Sequence, residues 1–121
     1  MLASTLKLSN LTVIVDFNKW QATGRSEEIL SLSPLSQKFE SFGWDTHDID
    51  GHNMNWLVET LNQTSRSQKP SAIIAHTVKG KGVSFMEDDN NWHYRIPTDE
   101  EVNTAHQELL VINHGGAEKT G

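Results

Sequence analysis

The chain contains no cysteine. That excludes disulfides, thiolate metal sites and a cysteine nucleophile, and it fits a reducing compartment. Basic residues are scarce, with 10 Lys and Arg against 16 Asp and Glu and a formal net charge of −6. There is no basic stripe to follow a phosphate backbone, so nucleic acid is not an expected partner. Diffuse acidity implies solubility and little more. No apolar run approaches the length of a membrane span, and the opening MLASTLKLSN is too polar for a signal peptide. The expectation is a soluble, cytoplasmic protein with no membrane partner. The sequons at Asn10 and Asn62 are read as chance matches in such a chain. What the 121 residues do allow is a single domain, or part of one, with a modest core.

The apolar pattern alternates between two periods. Leu11 to Val15 is a short β-branched run that reads as a strand buried on both faces. Asn18 to Ser33 is polar and reads as a long loop. Pro34 then opens a helix carrying Leu35, Phe39 and Phe42, which Gly43 ends. Trp44 to Ile49 reads as a second strand. Asn53 is a plausible cap for a helix whose apolar face would be Met54, Leu57, Val58 and Leu61. Ser71 to Ala75 is a third strand. The glycine-rich segment HTVKGKGVSFMEDDNNWHYRIP is too long for a simple connection and reads as a functional loop. Thr98 and Glu101 form a capping-box pattern ahead of a helix lined by Val102, Ala105 and Leu109. Strand, helix, strand, helix, strand, loop, helix predicts an α/β fold, a parallel sheet with helices on its faces. Ligands of such sheets bind beyond the carboxyl ends of the strands, here DFN, DGH and HTVKGKG.

Several polar residues at those ends could carry chemistry. Asp16 and Asn18 are two apart, so their side chains share one face of an extended segment. A carboxylate, an amide and main-chain carbonyls suit a hard cation such as Mg²⁺ or Ca²⁺. The same residue types also simply turn a chain after a strand. Lys79 to Gly82, KGKG, could approach a phosphate closely, although it lacks the Walker spacing, and a flexible surface loop is an equal reading. His93 in NNWHYR could donate to substrate oxygens or move protons, or be an interfacial histidine without chemistry. His52 and His76 read as structural. His47 lies on a polar strand, and His106 and His114 read as exposed. No pair has the spacing of a zinc site.

Taken together, NLTVIVDFNKWQATGRSEE, FGWDTHDIDGHN and KPSAIIAHTVKGKGVSFMEDDNNWHYRIPTDEE resemble consecutive blocks of the thiamine-diphosphate-binding half of transketolase. The likeness is closest to the amino-terminal subunit of bacterial transketolases whose two halves are separate chains. It implies thiamine diphosphate as cofactor, held through Mg²⁺ (or Ca²⁺ or Mn²⁺), with sugar phosphates as substrates for two-carbon ketol transfer. It places metal ligands at Asn18 and the main-chain carbonyl of Trp20, with Asp16 in support. Lys79 matches a lysine near the cofactor in some members. His93 matches the histidine that touches the diphosphate and the reacting sugar hydroxyl, and so is the catalytic candidate.

The family's metal motif begins with Gly-Asp-Gly, whose Asp supplies the carboxylate ligand, and no such triplet precedes Asn18. MLASTLKLSN resembles the end of the helix that follows it. The resemblance therefore implies a fragment. Residues 1–110 would be the carboxy-terminal part of the cofactor-binding domain and 111–121 a flexible tail. Such a chain is expected to be inactive alone, and not to be rescued by a carboxy-terminal half while the first metal ligand is missing. Its expected partners are that half or a second subunit, in a homo-oligomer. Two other readings stand beside this one, a 1-deoxyxylulose-5-phosphate synthase-like fragment and a non-catalytic binding or assembly module.

Overall fold

The computed structural model describes residues 1–115, with side chains as far as 111. The chain forms two compact units, residues 1–77 and 78–121. The first begins with a short helix α1 (Leu2–Thr5) and contains strands β1 (Thr12–Phe17), β4 (Asp45–Asp50) and β5 (Ser71–His76). These strands form one parallel sheet in the order β1-β5-β4. β1 runs in register with β5 from Thr12–Ser71 to Phe17–His76, and β4 from Asp45–Ser71 to Asp50–His76.

The sheet order corrects one expectation. Leu11 to Val15 reads as a strand buried on both faces, yet β1 is an edge strand and Ile14 is 53% exposed. The buried strand is β5, where Ser71 to Ala75 are all buried, Ile73 fully so, and only the terminal His76 is exposed. Pairing on both sides leaves β5 no free edge, whereas β1 has one. Ile49, Ile73 and Ala75 form the core cluster, with Leu57 packed on it.

Two helices pack on the sheet, and each is built from local signals. Helix α3 (Leu35–Ser41) ends in a Schellman motif. Trp44 N–H donates to Phe39 O at 3.2 Å and Gly43 N–H to Glu40 O at 2.8 Å, with Gly43 at φ +83°. Phe39 and Trp44 close it with an edge-to-face contact at 5.4 Å. Helix α4 (Met54–Thr64) starts where Asn53 Oδ1 accepts Trp56 N–H at 3.1 Å, as the cap pattern predicts.

The apolar face expected for α4 is overturned. Met54 and Val58 are 61% and 59% exposed, and Leu61 is exposed as well. Of the expected four only Leu57 packs on the core, and the helix turns Thr60 and Thr64 inward with it. The physical reason is visible at Thr64, whose hydroxyl donates to Leu61 O at 3.0 Å. A small side chain satisfied by its own helix can lie against a sheet without an unpaired polar group.

Between β1 and α3 the expected long loop is ordered. It holds a two-residue-per-strand hairpin, β2 (Trp20–Gln21) with β3 (Gly24–Arg25), and a short helix α2 (Ser26–Ile29). The second unit holds a series of turns, a 3₁₀ turn (Asn90–His93) and helix α5 (Asp99–Gly115). The capping box forms there as expected. Thr98 N–H donates to Glu101 Oε2 at 2.8 Å, and Glu101 N–H to Thr98 Oγ1 at 3.3 Å. Residues 111–115 belong to α5. The rest of the expected tail, 116–121, lies outside the described residues.

Candidate functional site

β1 continues through Asp16 and Phe17, and the chain turns at once after them. Asn18 Oδ1 accepts Trp20 N–H at 2.9 Å, and Lys19 between them takes φ +67°. Lys19 O in turn accepts Ser26 N–H at 2.9 Å, and the Arg25 guanidinium lies 3.7 Å over the Trp20 ring. The turn is thus fixed from three directions. An amide oxygen has two acceptor positions, and the turn uses one of them. Asn18 and Trp20, the two expected metal ligands, are therefore brought together in one rigid feature at the end of β1.

Asp16 has a different task. Its Oδ1 accepts the hydroxyl of Thr77, just beyond the end of β5. Thr77 N–H also donates to Phe17 O at 3.3 Å. Asp16 and Asn18 look like an equal pair in sequence, but one ties two strand ends together and the other shapes the turn. Beside the turn is a cavity of about 410 Å³ lined by Phe17, Lys19, Arg25, Ser26, Glu27 and Glu28.

The ends of β4 and β5 carry a pair that sequence reasoning missed. His76 Nε2 lies 2.8 Å from Asp48 Oδ1, and the His76 ring meets Phe17 edge-on at 5.4 Å. The two are 28 residues apart, so no local pattern could join them. Gly51 allows the strand ends to approach. Its N–H donates to His76 O at 2.8 Å, and a Cβ there would come within 2.6 Å of Thr77 Cγ2. His52, beside it, is exposed, and its N–H caps onto Asp50 Oδ1 at 2.9 Å.

Burial opposes the charge of Asp48, but hydrogen bonds to Ser36 and His76 and the His76 charge outweigh it. The carboxyl is held below its ordinary value of 3.8. A depressed carboxyl stabilises the fold above its unfolded value, and that contribution is lost as pH falls through the folded one. Asp48→Asn should therefore cost stability at pH 7, and the gap to the parent should close progressively below about pH 4. The side chain is 48% exposed, so the effect at pH 7 should be only about 0.5 kcal/mol. Urea unfolding of both proteins at several pH values would check this, and a gap that persists undiminished below about pH 3 would contradict it.

In the second unit KGKG is a built turn and not a loose loop. Lys79 O accepts Asp88 N–H at 2.8 Å. Gly80 sits at φ +71°, where a Cβ would come within 2.5 Å of Met86 O. Gly82 N–H donates to Glu87 Oε1 at 2.9 Å, and Lys81 Nζ lies 3.5 Å from the same carboxylate. One amide and one lysine otherwise suited to a phosphate are thus already engaged, while Lys79 is half-buried at the start of the turn. His93 ends the 3₁₀ turn and is exposed, with its ring edge-on to Tyr94 at 4.6 Å.

A cation bridging to a diphosphate asks for hard oxygen donors and negative charge. The Asn18 amide oxygen and a main-chain carbonyl meet the first demand. Asp16 is engaged by Thr77, and among the described residues no group of three or more His, Cys, Asp or Glu side chains is arranged to hold a metal. The residues present fit part of such a site, the neutral part.

Comparison with known proteins is consistent with the fold and these features. The family model described as transketolase, thiamine diphosphate binding domain, matches residues 1–114. The chain is 40% identical over 107 residues to one of the subunits of the apulose-4-phosphate transketolase of Actinobacillus succinogenes, covering 88% of this chain and 39% of that protein. It is 41% identical over 110 residues to the SqwG subunit of the 6-deoxy-6-sulfo-D-fructose transketolase of a Clostridium species, covering 90% of this chain and 40% of that protein. The chain thus spans about two fifths of the length of these relatives. The crystal structure of transketolase from Campylobacter jejuni superposes with a TM-score of 0.84 at 28% identity, covering 89% of this chain and 17% of that one.

Proposed function

This chain belongs to the transketolase thiamine-diphosphate-binding domain family, and from that premise we propose that it supplies the neutral side of a cation–diphosphate site for ketol transfer. The rigid Asn18 turn at the carboxyl end of β1 is the observation that carries the reading. In it the Asn18 amide oxygen and the Trp20 carbonyl hold a divalent cation, Mg²⁺ by preference, while Asp16 steadies the strand end. Lys79 offers a positive charge to the cofactor. The imidazole of His93 contacts the diphosphate and the reacting sugar hydroxyl. Thiamine diphosphate, when bound, supplies the electron sink for breaking a carbon–carbon bond.

Sugar phosphates are the proposed substrates, in keeping with the apulose-4-phosphate in the name of one relative, while the other relative's name gives a sulfonated deoxy-sugar. The remaining catalytic groups come from a partner, a carboxy-terminal transketolase half or a second subunit, and adding that half does not restore turnover while the carboxylate ligand of the metal is absent. Alone, the chain has negligible ketol transfer. Its free sheet edges favour self-association. Sedimentation velocity should show species larger than one chain at high concentration, and a single sharp monomer boundary would contradict this.

Calorimetric titration with thiamine diphosphate, with and without Mg²⁺, tests the central claim. Binding that requires Mg²⁺ is the expected result. No binding under either condition would sink it in favour of a second reading, a non-catalytic assembly module. That reading is favoured by one observation, the hydrogen bond from the Thr77 hydroxyl to Asp16 Oδ1, which commits one oxygen of that carboxylate to tying the strand ends.

A further inference from the structure

His93 has little to hold its side chain, because the ring is exposed and meets Tyr94. Its placement must come from the main chain of the 3₁₀ turn that carries it. Asp89 caps one end of that turn, where its Oδ1 accepts both the N–H and the side-chain amide of Asn91 at 2.9 Å. The other end closes on Arg95, whose N–H donates to Asn91 O at 3.2 Å.

Between these ends the turn has one deep anchor, Trp92. Its ring is buried, its Nε1–H donates to Phe85 O at 2.9 Å, and Phe85 leans on it at 5.2 Å. The Arg95 guanidinium covers Trp92, 4.4 Å from the ring centroid. It also donates to Glu101 Oε1. The other oxygen of that carboxylate, Oε2, accepts Thr98 N–H and the Thr98 hydroxyl in the capping box. Glu101 therefore does two things at once: it caps α5 with one oxygen and holds Arg95 over Trp92 with the other. The Thr98 main-chain N–H, the Thr98 hydroxyl and the Arg95 charge keep the Glu101 carboxyl below its ordinary range despite some desolvation, so at neutral pH it is an anion.

We propose that Arg95, braced by Glu101, is a positioning residue for His93. The strut runs from the start of α5 through the guanidinium to Trp92, the neighbour of His93. A planar guanidinium can stack on an indole and fork to a carboxylate together, which a lysine ammonium cannot. The proposal rests on the reading of His93 as a cofactor and substrate contact, and it adds what makes that contact reproducible.

The test compares the parent chain with Arg95→Ala, Arg95→Lys and Glu101→Gln by NMR. Glutamine can still cap the helix, so Glu101→Gln removes the brace and keeps α5. In Arg95→Ala, Trp92 indole exchange should accelerate by about tenfold, the signature of a local opening. The His93 ring signals should shift and broaden, while those of His52 stay put and the amides of Ile73 and Ile74 keep their protection. Glu101→Gln should show the same changes in weaker form, and Arg95→Lys should recover them only in part. Unchanged Trp92 and His93 signals in Arg95→Ala would overturn the strut. His93→Ala and Arg95→Ala are also titrated with thiamine diphosphate and Mg²⁺. Weakened binding in both supports the proposal. If the NMR signals move but His93→Ala binds as the parent does, the cofactor role of His93 fails and the functional claim for Arg95 falls with it.

Discussion

Asn18→Ala should weaken Mg²⁺-dependent thiamine diphosphate binding by about a hundredfold, the scale expected when a polar group bound to a charge is removed. The substitution takes away two things. One is the amide oxygen proposed to face the cation. The other is the acceptor that holds Trp20 N–H at 2.9 Å and so keeps the Trp20 carbonyl in place. Without that acceptor Lys19, at a left-handed φ of +67°, loses one of the bonds that hold the turn and keeps the one from Ser26 N–H to its carbonyl, and non-glycine residues adopt that conformation only with support. Asn18→Asp keeps both roles. A carboxylate still accepts from Trp20 and brings a charge that suits a hard cation. Binding should be retained in Asn18→Asp and lost in Asn18→Ala. Calorimetry on both variants reads this directly, and an unchanged affinity in Asn18→Ala would remove Asn18 from the metal site.

Ile73→Ala should destabilise the chain by about 3 kcal/mol, against less than about 1 kcal/mol for Ile14→Ala. The two isoleucines are direct ladder partners, so backbone propensity and strand position are matched. They differ in burial, since Ile73 is completely buried and packs with Ile49, Ala75 and Leu57, while Ile14 is 53% exposed on the edge strand. A loss near 3 kcal/mol is a large share of the roughly 5–15 kcal/mol that holds a typical domain together. Urea unfolding followed by far-ultraviolet circular dichroism gives both numbers. Equal losses at the two positions would contradict the placement of β5 in the middle of the sheet.

That pair of isoleucines shows where sequence reasoning stops. Both sit in short β-branched runs, and the runs look alike. Many local signals were legible where the structure depends on residues close in the chain, although the short hairpin and helix between Trp20 and Ile29 were read as loop. The Asn53 cap, the Gly43 stop, the Thr98–Glu101 capping box and the alternation of strand and helix all appear as expected. So did the likeness to the thiamine-diphosphate-binding half of transketolase, because long ordered blocks carry it.

The sequence by itself determined that this would be an α/β chain with a parallel sheet, because periodicity and caps fix backbone conformation over a few residues. It also singled out the pair Asp16 and Asn18, and His93, as candidates, because residue type limits which chemistry a position can perform, and the resemblance narrowed the pair to Asn18. Only the tertiary structure decided that β5 lies between β1 and β4, since crossover connections leave strand order to packing between distant segments. Only it turned Thr60 and Thr64 of α4 inward and sent the Asp16 carboxylate to Thr77. Only it joined His76 to Asp48, and Arg95 to both Trp92 and Glu101. Each of these depends on which surfaces meet when the core excludes water, and no short window of sequence contains both partners.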